Sequence, residues 1–193
     1  MLICVTNRND CKDDYLSRIS QLAKGKPHAI MLREKDLSLT EYEYLAAKVS
    51  EICDLHEVPL IINQNITTAT KLKLRNIHLS ISDLRQYKSE VSEFTFGTSV
   101  HTVPDAKEAQ ALGASYIIAG HIFSTDCKKG VPPRGLSFLK EVCTLVTIPV
   151  FAIGGITKDK IEVIKKTGAK GVCVMSESMT CTNPVNLTND FRF

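Results

Sequence analysis

The stretch Val150-Phe151-Ala152-Ile153-Gly154-Gly155-Ile156 decides the fold. Its four apolar residues are too few for a buried helix and run straight into two glycines. That is how a strand buried on both faces ends in a tight turn whose backbone N–H groups can approach an anion. Working outward, seven more brief apolar runs appear: Leu2–Val5, Ala29–Leu32, Leu60–Ile62, Ile77–Ile81, Phe94–Val100 and Tyr116–Phe123 before it, and Val172–Met175 after it. Eight strands alternating with helical patterns admit an open doubly wound sheet or a closed barrel. The open sheet would normally show a G-x-G-x-x-G turn after its first strand. Here Thr6-Asn7-Arg8-Asn9-Asp10 follows, without a glycine. The glycine pair falls after the seventh strand, where barrels commonly hold a phosphate. The expected class is therefore α/β, a single (β/α)8 TIM barrel of minimal size over residues 1–193, with short loops.

The segments between the runs carry the helix period. Tyr15, Leu16, Ile19, Leu22 and Ala23 form one apolar stripe, and Tyr42, Leu45, Ala46, Val49, Ile52 and Cys53 a longer one. Ser38 stands three residues before Glu41, the signature of a capping box. Thr102 is expected to cap a helix with Pro104 in its first turn, and Thr157 another that ends near Lys165, Lys166 and Gly168. The patterns at 64–76 and 83–93 are weaker and predict short helices.

The totals narrow the function. Apolar residues at 44% and charged ones at 23% describe an ordinary globular chain. A net charge of +3, with basic residues no denser than the pairs Lys128-Lys129 and Lys165-Lys166, argues against nucleic acid. No stretch is long enough to span a membrane, and Met1–Thr6 is too short and wrongly flanked for a signal peptide. The seven cysteines are odd in number and none has C-x-x-C spacing, so neither a disulfide framework nor a zinc site is expected, and the setting is cytoplasmic. Cys127, beside lysines, is the one candidate for a reactive thiol.

Barrel chemistry gathers at the carboxyl ends of the strands. Those ends supply Arg33, Glu34 and Lys35, then Asn63, Gln64 and Asn65, then Asp83, Ser99 and His101, then His121 and the run Thr125-Asp126-Cys127-Lys128-Lys129-Gly130, then Gly154-Gly155, and last Ser176. Cations and amides outnumber carboxylates there, which predicts an anionic ligand. Gly154, Gly155 and Ser176 are the expected phosphate ligands, although a glycine pair also suits a plain tight turn. His121, placed on the sixth strand, is the acid/base candidate, since an imidazole both takes and returns a proton near neutrality. His78 reads as a satisfied interior residue. His28 and His56 precede strands, on the face away from the site. The loop 125–135 is of the kind that closes over ligands.

The strings Met31-Leu32-Arg33-Glu34-Lys35-Asp36-Leu37-Ser38, Gly97-Thr98-Ser99-Val100-His101-Thr102 and Ala152-Ile153-Gly154-Gly155-Ile156 resemble the thiamin phosphate synthase superfamily over nearly the whole chain. The resemblance implies a barrel of thiamin metabolism with two branches. The synthase branch joins a pyrimidine pyrophosphate to a thiazole phosphate with magnesium, and usually carries Asn-Asp after strand three and an Asp after strand four. Here Asn63-Gln64 and Asp83 stand there. Gly120-His121-Ile122-Phe123, Thr125-Asp126-Cys127-Lys128-Lys129-Gly130 and Arg134-Gly135 resemble the thiazole tautomerase branch. That branch implies an isomerase that aromatises a carboxylated thiazole phosphate with His121 as its catalytic residue. Arg33, Lys35, Asn63, Ser99, Lys128, Gly154, Gly155 and Ser176 would bind the substrate, with no metal or cofactor. The alternatives are the magnesium-dependent synthase, for which Asp83 would serve the metal, and a non-catalytic protein that binds thiazole or thiamin phosphate. The partner expected is a small phosphorylated thiazole, with neither nucleic acid nor membrane; a homodimer is compatible with the sequence.

Overall fold

The computed structural model describes residues 1–125, 128 and 130–193. Eight parallel strands close into a barrel in chain order. They are β1 Leu2–Val5, β2 Ala29–Leu32, β3 Leu60–Asn63, β4 Asn76–Ser80, β5 Thr95–Val100, β6 Tyr116–Gly120, β7 Val150–Ile153 and β8 Gly171–Val174. The helices between them are α1 Tyr15–Lys24, α2 Leu39–Leu55, α3 Ile66–Lys71, α4 Ile81–Gln86, α5 Val103–Ala111, α6 Gly135–Leu145 and α7 Ile161–Lys165, with α8 Ser176–Thr180 and α9 Leu187–Asp190 after the last strand. This is the TIM barrel expected from the alternation. Strands of four to six residues, buried along nearly their whole length, account for the continuous Val/Ile-rich runs.

Local chemistry sets the helix starts. Ser38 and Glu41 form the full capping box on α2, the Ser38 N–H donating to Glu41 Oε2 at 2.9 Å. Thr102 Oγ1 accepts from the Asp105 N–H at 3.2 Å to start α5. Ser80 and Asp83 make a second capping box on α4 that the sequence reading did not anticipate. Thr157 departs from expectation: a single 3-10 turn, Lys158–Lys160, intervenes before α7, and its hydroxyl makes no cap bond. The weak patterns at 64–76 and 83–93 do yield short helices, α3 and α4, of six residues each.

The chain divides into two compact units, Met1–Ile77 with Val174–Arg192, and His78–Cys173 with Phe193. In the first, β1 lies beside β2 with Ile3 opposite Ala29, and β2 beside β3 with Ile30 opposite Leu60. In the second, β5 pairs with β6, β6 with β7 and β7 with β8, with Gly97 opposite Tyr116 and Gly120 opposite Ile153. Gly97 has a packing reason to be glycine: a Cβ there would meet the Tyr116 ring at 2.2 Å. Tyr116 thus lies across β5 at a place without a side chain. The sixth strand is shorter than the apolar run 116–123. It ends at Gly120, and Ile122 is apolar because it is core, 1% exposed, not because the strand continues.

Candidate active site

In the first unit, the ends of β1 and β2 are tied by one buried carboxylate. Glu34, 4% exposed, accepts from the Thr6 hydroxyl at 2.6 Å, the Tyr15 hydroxyl at 3.0 Å and the Arg8 N–H at 2.9 Å. Thr6 Oγ1 in turn accepts from the Arg33 N–H at 3.0 Å. Burial and the neighbouring Glu34 charge hold the Tyr15 phenol well above its usual range, so it stays a donor. Three donors thus hold the Glu34 carboxylate, which ties the end of β1 to the end of β2. The Arg33 guanidinium lies against Met175 Sδ at 3.8 Å, next to Ser176 at the start of α8.

Lys35 and Asn63 do come together. They line one cavity of about 280 Å3 with Glu34, Leu37, Tyr42, Gln64 and Asn65. Tyr42, one of the lining residues, donates to the Leu32 carbonyl at 2.8 Å. Gln64 holds φ +61°, a left-handed conformation unusual for its type, where β3 turns into α3. Asn63 donates to its side-chain oxygen at 3.3 Å.

In the second unit, two groups of polar residues form. The first lies across β4, β5 and β6. His78, 3% exposed, has both ring nitrogens engaged: Nε2 with Ser99 Oγ at 2.8 Å and Nδ1 with the Tyr116 hydroxyl at 3.2 Å. Its ring stacks on Tyr116 with centroids 5.7 Å apart, and Tyr116 meets Phe151 edge-on. Burial pushes the imidazole down to about 3, so it is neutral. The expectation of a satisfied interior histidine holds. Its link to Ser99, a predicted substrate contact, joins residues 21 apart in sequence and was missed.

The second group surrounds the end of β6. His121 lies just after the strand, not on it, which corrects the sequence reading. Its Nε2 donates to the Val131 carbonyl at 3.2 Å, and its own carbonyl accepts from the Arg134 N–H at 2.9 Å. The side chain is 4% exposed, and its Nδ1 is buried without a hydrogen-bond partner among the described residues. His101 donates from Nδ1 to the Gly120 carbonyl. Burial holds its imidazole below the usual range, and the charges of Lys128 and Arg134 add to that. Lys128 itself is exposed, its N–H on the Thr125 carbonyl at 3.0 Å. Cys127, the candidate thiol, lies outside the described residues, as do Asp126 and Lys129.

Gly154 and Gly155 pack directly against this turn. A Cβ on Gly154 would sit 2.4 Å from His121 Cβ, and one on Gly155 would sit 2.3 Å from the Ser124 carbonyl oxygen. Both hold positive φ, +100° and +63°. The pair is therefore glycine for conformation and for close approach to the 121–124 backbone, whatever anion it also meets. Lys160, which the sequence reading passed over, braces the turn: its ammonium donates to the Gly155 carbonyl at 2.7 Å and sits 4.7 Å over the Phe123 ring.

Metal binding can be tested on the donors themselves. Gln64 offers a neutral amide where a hard divalent cation prefers a carboxylate. Asp83 turns its carboxylate back onto its own helix start, accepting from the Ser80 N–H at 3.4 Å. No group of three or more His, Cys, Asp or Glu among the described residues is placed to hold a metal ion. Gln64 is a poor ligand for magnesium, which takes one or two carboxylates together with substrate phosphates. No helix among the described residues is long and apolar enough to cross a membrane.

Comparison with known proteins names the lineage. The family model described as thiamine monophosphate synthase matches residues 2–177. The chain is 35% identical over 182 residues to thiamine-phosphate synthase 2 of Streptococcus pneumoniae, covering 92% of this chain and 87% of the relative. It is 33% identical over 198 residues to thiamine-phosphate synthase of Methanobrevibacter smithii, covering 99% and 95%. Among solved structures, thiamine phosphate pyrophosphorylase from Pyrococcus furiosus superposes with a TM-score of 0.88 at 26% identity, covering 99% of this chain and 93% of that one. On this evidence the chain belongs to the thiamine monophosphate synthase family, and with it to thiamine biosynthesis.

Proposed function

We propose that this member of the family is an isomerase, a thiazole tautomerase that aromatises a carboxylated thiazole phosphate by proton transfer through His121. One observation carries the reading: Nε2 of His121 is fixed as a donor by the Val131 carbonyl, so its lone pair lies on Nδ1, and that nitrogen is buried with no partner among the described residues. A buried unpaired acceptor is costly to fold around and asks for a functional reason. A base with one nitrogen fixed and the other unspent meets that description. In the reaction Nδ1 takes a proton from one carbon of the thiazole system, and the imidazolium returns a proton at another position. The electron pair left behind becomes part of the aromatic ring, and no oxidant, metal or leaving group is needed. Nδ1 is covered, so the substrate must part the side chains over it to react.

Contacts are proposed on each unit separately. On the first they are Arg33, Lys35, Asn63 and Ser176; on the second, Ser99, Lys128 and the Gly154–Gly155 turn, whose N–H groups suit a phosphate. The second reading, the transferase that joins pyrimidine pyrophosphate to thiazole phosphate, is favoured by the names of the relatives, which are synthases and not tautomerases. Gln64 and the self-capping Asp83 weigh against it in this chain.

One incubation separates the readings. The protein is given the carboxylated thiazole phosphate alone, and in parallel thiazole phosphate plus pyrimidine pyrophosphate with and without magnesium. Aromatised thiazole from the first supports the isomerase. Thiamine phosphate from the second, only with magnesium, with no isomerisation in the first, overturns it in favour of the transferase. Tight phosphate-dependent binding with neither product would leave a binding protein.

A further inference from the structure

We infer that Tyr116 and His78 form a proton-ordering relay that makes the Ser99 hydroxyl a hydrogen-bond donor toward the substrate, so that Tyr116 is a positioning residue. The inference rests on the reading that Ser99 touches the substrate, and it holds for either reaction considered above.

The chain of contacts runs Tyr116 hydroxyl, His78 Nδ1, His78 Nε2, Ser99 Oγ, at 3.2 and 2.8 Å. A neutral imidazole has one N–H, and two arrangements are open. In the first, the phenol donates to Nδ1, Nε2–H donates to Ser99 Oγ, and the serine proton is left to point elsewhere. In the second, Ser99 donates to Nε2, Nδ1–H donates to the phenol oxygen, and the phenol proton needs an acceptor of its own. The second has nowhere good to put that proton. Tyr116 as a residue is half-buried, but its hydroxyl is desolvated by its surroundings. Its hydrogen bond runs to His78, and Cys173 beside it offers a weak sulfur acceptor. A desolvated donor left unpaired loses a full hydrogen bond, so the first arrangement prevails. Burial also keeps the imidazole neutral, which removes a doubly protonated ring from contention.

The geometry is held by packing. Tyr116 fits only because Gly97 opposite it has no side chain, and Phe151 meets its ring edge-on at 5.8 Å between centroids. Gly97 and Ser99 are two apart on β5 and so project from the same face. Ser99 is half-buried near the carboxyl end of β5, whereas Tyr116 is the first residue of β6, so the serine is the end of the relay on the ligand side. The substrate feature selected is an acceptor: a ring nitrogen, a carboxylate or a phosphate oxygen. A group that only donates would meet just the second lone pair of Ser99 Oγ and leave the serine proton unpaired.

The test is the tautomer of His78, read by long-range nitrogen–proton correlation on the full-length labelled chain. Expected is a bare Nδ1 and a protonated Nε2. Tyr116→Phe keeps the ring in place over Gly97 and removes only the hydroxyl. It should let the two nitrogens average and should weaken binding of thiazole phosphate by about two- to fivefold, the scale of one neutral hydrogen bond. A protonated Nδ1 in the unaltered protein overturns the relay, and that result is available even if the variant fails to fold. So does a Tyr116→Phe protein with the same tautomer and the same affinity. Ser99→Ala separates the two layers. If it leaves thiazole phosphate affinity unchanged while Nε2 is protonated, the substrate contact assigned to Ser99 is overturned and the tautomer stands as structure alone.

Discussion

Around His78 both ring nitrogens have partners, while around His121 one has a partner and the other has none among the described residues. The two imidazoles are equally buried, 3% and 4% exposed, and lie in the same unit. Burial therefore does not separate the two; what differs is the second nitrogen. Glu34 extends the lesson to the first unit. It is buried and polar at a strand end where chemistry is expected, yet two hydroxyls and an N–H hold it. It reads as an anchor for the same reason that His78 does.

The sharpest way to break the contrast is to exchange the roles. His121→Gln, with its fold verified by circular dichroism, should lose about 10²–10⁴ in isomerisation rate, the usual worth of a general acid/base. Undiminished turnover would make His121 another packed residue. His78→Leu should instead show up as stability: it orphans the Tyr116 hydroxyl and Ser99 together, and a urea titration should record a loss of about 2–4 kcal/mol. A loss below about 0.5 kcal/mol would mean that those hydrogen bonds contribute little.

Gly154→Ala sharpens the comparison from the other side. It forces a side chain into a positive-φ position and into His121, and should cost about 1–3 kcal/mol in the same titration while displacing the imidazole. A graded effect comes from acid. His78 is held near 3 in the folded protein against 6.5 unfolded, so between those values the unfolded chain binds the extra proton. Its contribution is complete above about pH 6.5 and declines as pH falls, at up to about 1.4 kcal/mol per pH unit. His28 and His101, also lowered, act in the same direction. His78→Gln should flatten the slope by one proton, as urea midpoints measured across pH 4–7 would show. Smallest is Lys160→Met, which removes the brace on Gly155 and should cost about 1 kcal/mol.

Much of this was legible in the sequence, and the reasons are local. β1, β2 and β7 match their apolar runs residue for residue, and the caps at Ser38 and Thr102 follow from short spacings. What failed was also physical. The sixth run was read too long because a core residue, Ile122, follows the strand directly. The cap at Thr157 was displaced by a 3-10 turn. The site was half legible. Lys35 and Asn63 share a cavity as strand-end residues should. The Glu34 anchor and the His78 relay join residues 19 to 38 apart in sequence, and no spacing rule reaches that far. The glycine pair was read for its anion and not for the backbone pressed against it, because that neighbour, the turn at His121, is far away in sequence.

Gly97 and Tyr116 occupy a single volume. For anyone redesigning ligand preference in this protein, the two positions are therefore one variable. A library that varies residue 97 alone would evict the tyrosine at almost every member, and screening would report those members as unstable when the true loss is an unsatisfied imidazole two strands away. Paired codons, with a larger residue at 97 matched to a smaller one at 116 and a new partner supplied for His78, would be the productive way to explore that wall.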